Sequence, residues 1–496
     1  MAQFINVNRT TTVEASFSDE IFIFPDVELY VTSGAAIEPT AATNFNIDVF
    51  VYGLVYGFFG GIQLTSSSDG TGGGTGNHDV VIGKDGKVIA STLGAITTFG
   101  ANNTIINEGS VNGPGSDPTI RNEGSAYSLT NSGLIQGTTA VELITGLGGA
   151  TTVETVINSG EITGTSSGVT ITDGQLELIN TGLISSGGSS FGSAIEATGS
   201  SINGHRIVNE GTMSSRDDAI DLLSDSSDTV INSGSIIGDI RLGMGDDTYD
   251  GRGGTVQGAV HGGDGNDIFK VDTATTEIIE EVGGGNDSVF ALVSFTLGDN
   301  LEALLLEGSA DLRGFGNAED NLISGNSGDN LLSGMEGKDT MAGADGDDRM
   351  MGGRGKDTLL GNDGEDVLRG GRGRDELNGG DDDDILIGGR GVDFLTGGDG
   401  NDIFLFKNAF ETTVRKRDKI VDFAGGEDEI DVSNLDPGKF TFIDDAKFDG
   451  SGNAELRVIE RGTKSLVQLD LDGDGEQDLG FEVLDYLNLA QSDFVL

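Results

Sequence analysis

The chain has no cysteine and no tryptophan, and only five prolines and three histidines in 496 residues. Without cysteine there are no disulfides, no thiol chemistry and no cysteine-ligated zinc. The histidines, His78, His205 and His261, form no H-E-x-x-H pair, which excludes a zinc protease centre of that type. Cations are scarce as well. The 28 lysines and arginines face 82 Asp and Glu, a formal net charge of −54, so nucleic acid is not an expected partner. Long hydrophobic runs are missing. The most apolar stretch, 49–61, is too short and too glycine-rich to cross a bilayer, so no transmembrane segment is expected. The N-terminus lacks the basic start and apolar core of a cleaved secretory signal. No strong helical period is found. No G-K-[ST] ending completes a phosphate-binding loop. The G-x-S-x-G matches at 164–168 and 188–192 lie in Gly/Ser-rich turns without a strand-to-helix elbow, where chance matches are expected.

Glycine is what the chain has in quantity, 83 residues, a balance that suits solenoid turns better than a proline-rich linker. From Gly316 to Phe404 it opens a nine-residue unit, ten times in succession. The sixth place is Asn321 and Asn330, then Asp339, Asp348, Asp357, Asp366, Asp375, Asp384, Asp393 and Asp402. The eighth place is always apolar, from Ile323 through Leu359 and Leu377 to Phe404. Glycines permit a six-residue turn with left-handed backbone angles. The next three residues form a short strand whose apolar member points inward. Two units make one coil of 18 residues. Asp339, Asp357, Asp375 and Asp393 then stack on one side, and Asp348, Asp366, Asp384 and Asp402 on the other. Such columns repel unless neutralised. A hard cation accepting six to eight oxygens suits them, which favours Ca2+ over octahedral magnesium. Adjacent same-side aspartates bracket three sites per column, six in all, and Asn321 and Asn330 add weaker ones upstream. A disordered Gly/Asp-rich linker is the competing reading, but a linker needs no inward apolar stripe. Glu319 and Asp382 replace the fourth-place glycine, so the 381–384 run is expected to hold its ion differently.

This register resembles the RTX β-roll of proteins exported by type I secretion. The tail resembles the C-terminal domain of serralysin-type proteins. That likeness rests on 402–404, 418–423 (Asp-Lys-Ile-Val-Asp-Phe), 428–431, 469–475 and the terminal 492–496. Single related units occur at 242–249, with Asp247, and 262–269, with Asp267. The resemblance implies calcium-triggered folding and export, and it covers about the last half of the chain. The terminal Asp493-Phe494-Val495-Leu496 is similar to an uncleaved type I export signal and equally fits a final strand. In 470–481, Asp470, Asp472, Asp474 and Asp478 match places 1, 3, 5 and 9 of an EF-hand-like loop, with Gly475 at place 6. Place 12 is Phe481 instead of an acid. Calcium there, with Glu482 helping, and a metal-free acidic turn are both open.

Upstream, Asn-x-Gly recurs at Asn107, Asn122, Asn131, Asn158, Asn180, Asn209 and Asn232, mostly after β-branched residues and before a short strand. Its later spacings suit coils of a parallel β-helix in which stacked asparagines bond turn backbone groups. A β-sandwich would leave the recurrence unexplained. The expected fold is all-β: a parallel β-helix or β-solenoid over 77–315, continuing as one rod into the calcium-binding RTX β-roll of 316–406, with a β-rich, serralysin-like cap and secretion signal over 407–496. Residues 1–76 read as a β-rich N-terminal cap or contact module. There, Phe50, Tyr52, Leu54, Tyr56 and Phe58 share one face of a single strand that is apolar on both faces, either filling a core or buried by another subunit.

The expected function is that of a secreted, calcium-binding structural protein of the cell surface or extracellular matrix. An S-layer, filament, matrix or adhesive coat would fit, with copies of the chain as partners in a homo-oligomer or lattice. The alternative is an extracellular polysaccharide-modifying enzyme, a lyase or epimerase, since the layout is similar to that of alginate epimerases. Against it, residues 1–240 hold only Arg9, Lys84, Lys87, Arg121, Arg206 and Arg216 to bind substrate carboxylates, and no Asp-Pro-His-type motif. The most catalytic-looking group, His205-Arg206 with Arg216-Asp217-Asp218 and Asp221, is read as a polar coil surface with a salt bridge. Surface polysaccharide remains a conceivable partner. A toxin-like effector finds no membrane-inserting segment to support it.

Overall fold

A computed structural model describes residues 3–5, 13–15, 20–31, 35–39, 47–57, 60–64, 77–113, 116–145, 152–187, 192–199, 203–435 and 440–496. The chain forms two compact units, Met1–Lys270 with Thr275–Gly285, and Val271–Ala274 with Asn286–Leu496. Among the described residues all regular structure is β apart from one 3-10 turn, Gln491–Asp493. None of them forms a helix long and apolar enough to cross a membrane.

The first unit is a parallel β-solenoid with three strand segments per coil. Thr104–Asn107, Ser110–Asn112 and Ile120–Ser125 make one such coil. The first two pair in parallel with Ser128–Asn131 and with the start of Leu134–Ile144, and Ile120–Ser125 pairs with the later part of that same strand. Alternation places Ile105, Val111, Ile120, Leu129 and Ile135 in a dry core. The asparagine spacings are the coil lengths, since Asn131, Asn158, Asn180, Asn209 and Asn232 stand in register on successive strands. Each side-chain amide donates to the next: Asn107 to Asn131 at 2.7 Å, Asn131 to Asn158, Asn158 to Asn180 and Asn180 to Asn209 at 2.8 Å, and Asn209 to Asn232 at 2.9 Å. Asn122 is the exception. It lies at a different corner, in register with Thr98, and accepts from Thr98 Oγ1 and Asn103 Nδ2.

The described strands of 1–76 are rungs of this same solenoid, pairing in parallel with the coils that follow. The aromatic stripe is therefore two strands and not one. Ile47–Val51 and Leu54–Gly57 meet at a bend at Tyr52 and Gly53. Only glycine fits at that corner, because a Cβ would run into the carbonyl oxygens of Phe24 and Val27. Ile47, Val49, Val51 and Val55 face the core, and Phe50, Tyr52 and Tyr56 face outward. The outer rings stack between rungs, Phe22 on Phe50 at 4.7 Å and Tyr30 on Tyr56 at 4.5 Å. Phe58 lies outside the described residues.

The second unit flattens to two sheets, with one strand per nine residues, given alternately to one sheet and the other. Thr340–Asp345, Thr358–Asp363, Glu376–Asp381 and Phe394–Asp399 form one sheet. Leu331–Glu336, Arg349–Gly355, Val367–Gly373 and Ile385–Gly391 form the other. Both are parallel, with a register of 18 residues. The eighth-place stripe, Met341, Met350, Leu359, Leu368, Leu377 and Leu386 included, is at most 1% exposed. Each such side chain stabilises by about 1.5–3 kcal/mol relative to exposure. Beyond the roll, Glu455–Arg461, Lys464–Asp470 and Leu479–Val483 form an antiparallel meander. Phe481 stacks on Phe406 at 4.4 Å. Phe494–Val495 joins the second sheet beside Glu429–Asp431, with Phe494 buried.

Candidate metal centre

Within the roll the sixth-place aspartates form two columns, each carboxylate serving two purposes. Its Oδ1 accepts the backbone N–H of the aspartate one coil earlier. Asp339 donates to Asp357 at 3.0 Å, Asp357 to Asp375 at 3.0 Å and Asp375 to Asp393 at 2.9 Å. On the opposite turns Asp348 donates to Asp366 at 2.7 Å, Asp366 to Asp384 at 2.8 Å and Asp384 to Asp402 at 2.9 Å. The asparagines head the columns as donors, Asn321 to Asp339 and Asn330 to Asp348. The second oxygen, Oδ2, is buried and has no hydrogen-bond partner in all eight aspartates.

The opening glycine explains where Oδ2 goes. A Cβ at Gly370 would lie 2.6 Å from Asp375 Oδ2, and one at Gly388 2.9 Å from Asp393 Oδ2. Contacts at Gly361 and Gly379 would be tighter. These glycines do not have left-handed backbone angles. The second and fourth places do, as at Gly371 (φ 110°) and Gly364 (φ 124°). The second place also accepts Met335, Ala344 and Asn362, and the fourth accepts Asp382 at φ 77°. Asp384 keeps its place in the column despite that substitution.

Burial pushes these carboxyls up from the ordinary 3.8. Asp366 and Asp375 rise to about 7 and Asp384 to about 8, with neighbouring aspartates adding to the desolvation. Asp339 rises to about 7, Asp348, Asp393 and Asp402 to about 6, and Asp357 is raised too. Two ionised carboxylates one rung apart, ~4.8 Å, repel by about 3–4 kcal/mol at an effective dielectric of 20. An oxygen-rich, buried, anionic column with one orphaned oxygen per rung fits a hard divalent cation.

The columns run past the repeat. Asp393 N–H donates to Asp418 Oδ1 at 3.0 Å and Asp402 N–H to Asp428 Oδ1 at 3.1 Å. Asp418 is pushed up to about 9 by burial and by Asp393. The first unit holds a similar series. His205 N–H donates to Asp228, Asp228 to Asp247 at 2.6 Å, and Asp247 to Asp267 at 2.8 Å. Burial raises Asp247 to about 9 and Asp267 to about 6. Asp228, Asp418 and Asp428 were not among the expected ligands. The last two follow at 25 and 26 residues instead of 18, so no period reveals them.

In the loop after Lys464–Asp470, carboxylate oxygens of Asp470, Asp472 and Asp478 lie within 4.8 Å of one another. Asp474 is not in this group, and its Oδ1 accepts Glu476 N–H instead. Asp470 accepts Gly473 and Gly475 N–H, each at 2.8 Å. Glu482 does not help, because it pairs with Lys464 at 2.8 Å while Phe481 is fully buried. His205 does not meet Asp218 and Asp221. Its ring is buried and accepts Leu176 N–H at 3.0 Å, and burial lowers its pKa to about 4. Asp218 pairs with Arg241 at 2.8 Å.

The model of the serralysin C-terminal domain of M10 peptidases matches residues 311–496. Among curated proteins no sequence matches this chain. Among solved structures, a subunit of the mannuronan C5-epimerase of Azotobacter vinelandii, determined in solution, is 28% identical. It covers 30% of this chain and 77% of that one at a TM-score of 0.17. Motif, register and family match agree: residues 311–496 resemble a serralysin-type C-terminal domain built on RTX repeats.

Proposed function

We propose that this is an extracellular calcium-binding β-roll protein whose roll folds on binding the ion and which serves as a structural element of a cell surface or matrix. The carrying observation is the set of eight buried Oδ2 atoms without partners, each aimed over an opening glycine. Successive aspartates of one column, such as Asp366 and Asp384, would hold one ion between them, with turn carbonyls completing the oxygen shell. Bound calcium supplies the positive charge that the columns lack. Asp418 and Asp428 would close the downstream ends, and Asp470, Asp472 and Asp478 would form a separate, more exposed site.

Repetition supports the structural role. Both units are stacks of parallel rungs, with Asn or Asp columns tying successive rungs together. Replacing Asp366 and Asp384 together with asparagine removes both charges from one inferred site and keeps side-chain volume. Calorimetric calcium titration of the full chain should show the midpoint raised and fewer ions bound. An unchanged isotherm would refute the assignment.

A further inference from the structure

The solvent-facing turn positions of the roll are sorted by sign. On the turns that carry Asp357 and Asp375, the third place puts Glu336, Arg354, Arg372 and Arg390 in register on successive rungs, all exposed. On the opposite turns the same place holds Asp345, Asp363, Asp381 and Asp399, also in register and exposed. No lysine or arginine occurs in the acidic turns, 343–348, 361–366, 379–384 and 397–402. Arg354 is paired with Glu336 at 2.6 Å. Arg372 has no carboxylate partner among the described residues, and Arg390 lies 5.5 Å over the ring of Phe410, itself 71% exposed.

Both columns are spaced by the same rung, ~4.8 Å, because both are set by the same backbone ladder. A second copy of the roll therefore offers carboxylates at the pitch of this copy's guanidinium groups. We propose that the arginine column of one copy docks along the aspartate column of another, giving a side-by-side array of rolls. Such a contact uses two different faces of the molecule and so propagates, as heterologous interfaces do. The net charge of −54 does not forbid it. At physiological salt, charges more than about 8 Å apart are screened, so local complementarity prevails. Single exposed ion pairs contribute little, so binding depends on several rungs engaging together. The inference rests on the calcium reading, since the columns exist only once the rungs have formed.

Two full-length variants test it by sedimentation velocity in calcium: Arg354→Glu with Arg372→Glu and Arg390→Glu, and Asp345→Lys with Asp363→Lys and Asp381→Lys. The wild type should assemble and dissociate at about 1 M salt, where screening shortens to about 3 Å. Each variant alone should be monomeric, and an equal mixture should assemble again, which misfolded chains could not do. Circular dichroism of the same samples separates the two readings: a calcium-folded wild type that stays monomeric overturns the docking alone. Variants that assemble like the wild type overturn it too. So does an arginine variant that still assembles but loses retention on an immobilised polyuronate, which would assign the basic column to a glycan.

Discussion

An aspartate in the roll is held by one oxygen and left wanting by the other. That asymmetry makes the site sensitive to pH in a definite direction. A carboxyl raised from 3.8 to about 7, as at Asp366 and Asp375, binds more protons folded than unfolded between those values. Without a cation the folded roll is therefore most stable below the unfolded value and loses stability as pH rises through 7. In chelator, amide exchange within 316–402 should be slower at pH ~5 than at pH ~8 after correction for intrinsic rates. Greater protection at the higher pH would contradict the burial argument. A second residue-scale test concerns glycine. Gly361→Ala places a methyl where Asp366 Oδ2 lies, so it should cost calcium affinity. Asn362→Gly should be mild, because the second place already holds glycine in other units, as at Gly371. Equal effects of the two, measured by calcium titration, would show that the opening glycine has no special role.

At the scale of the element, the repeating features were legible because they are periodic in the sequence. Ten opening glycines, a fixed sixth place and an apolar eighth place specify strand, turn and core together, and the register agrees. What repeats without a fixed period was harder to read. Asn122 shares its tripeptide pattern with the ladder asparagines yet turns a different corner. The stripe around Tyr52 keeps its alternation through a bend, so periodicity alone could not reveal two strands. Asp418 and Asp428 lie beyond an insertion, and only packing brings them under Asp393 and Asp402. The role of the opening glycine was also hidden, since composition cannot separate a left-handed turn from room for a carboxylate. The asparagine ladder makes its own prediction. Asn158→Ala breaks bonds to Asn131 and Asn180 in a buried corner and should destabilise the first unit by about 1–3 kcal/mol. Chemical denaturation would measure this, and calcium affinity of the roll should not change. A loss below ~0.5 kcal/mol, the level of an ordinary surface substitution, would mean the ladder contributes little.

Across the whole molecule, charge is the dominant fact. Six ions in the roll would supply +12 against a formal charge of −54, leaving a strongly acidic protein that stays soluble while its columns are neutralised. The two units should respond differently to calcium. The asparagine-tied coils of 104–232 need no ion to pair their buried amides, whereas the coils of 316–402 stack like charges on every rung. Hydrogen exchange on the full chain, followed peptide by peptide with calcium and with chelator, tests this most directly. Chelation should strip protection from 316–402 while leaving 104–232 protected. Protection of 316–402 that is the same in chelator as in calcium, at neutral pH, would contradict it.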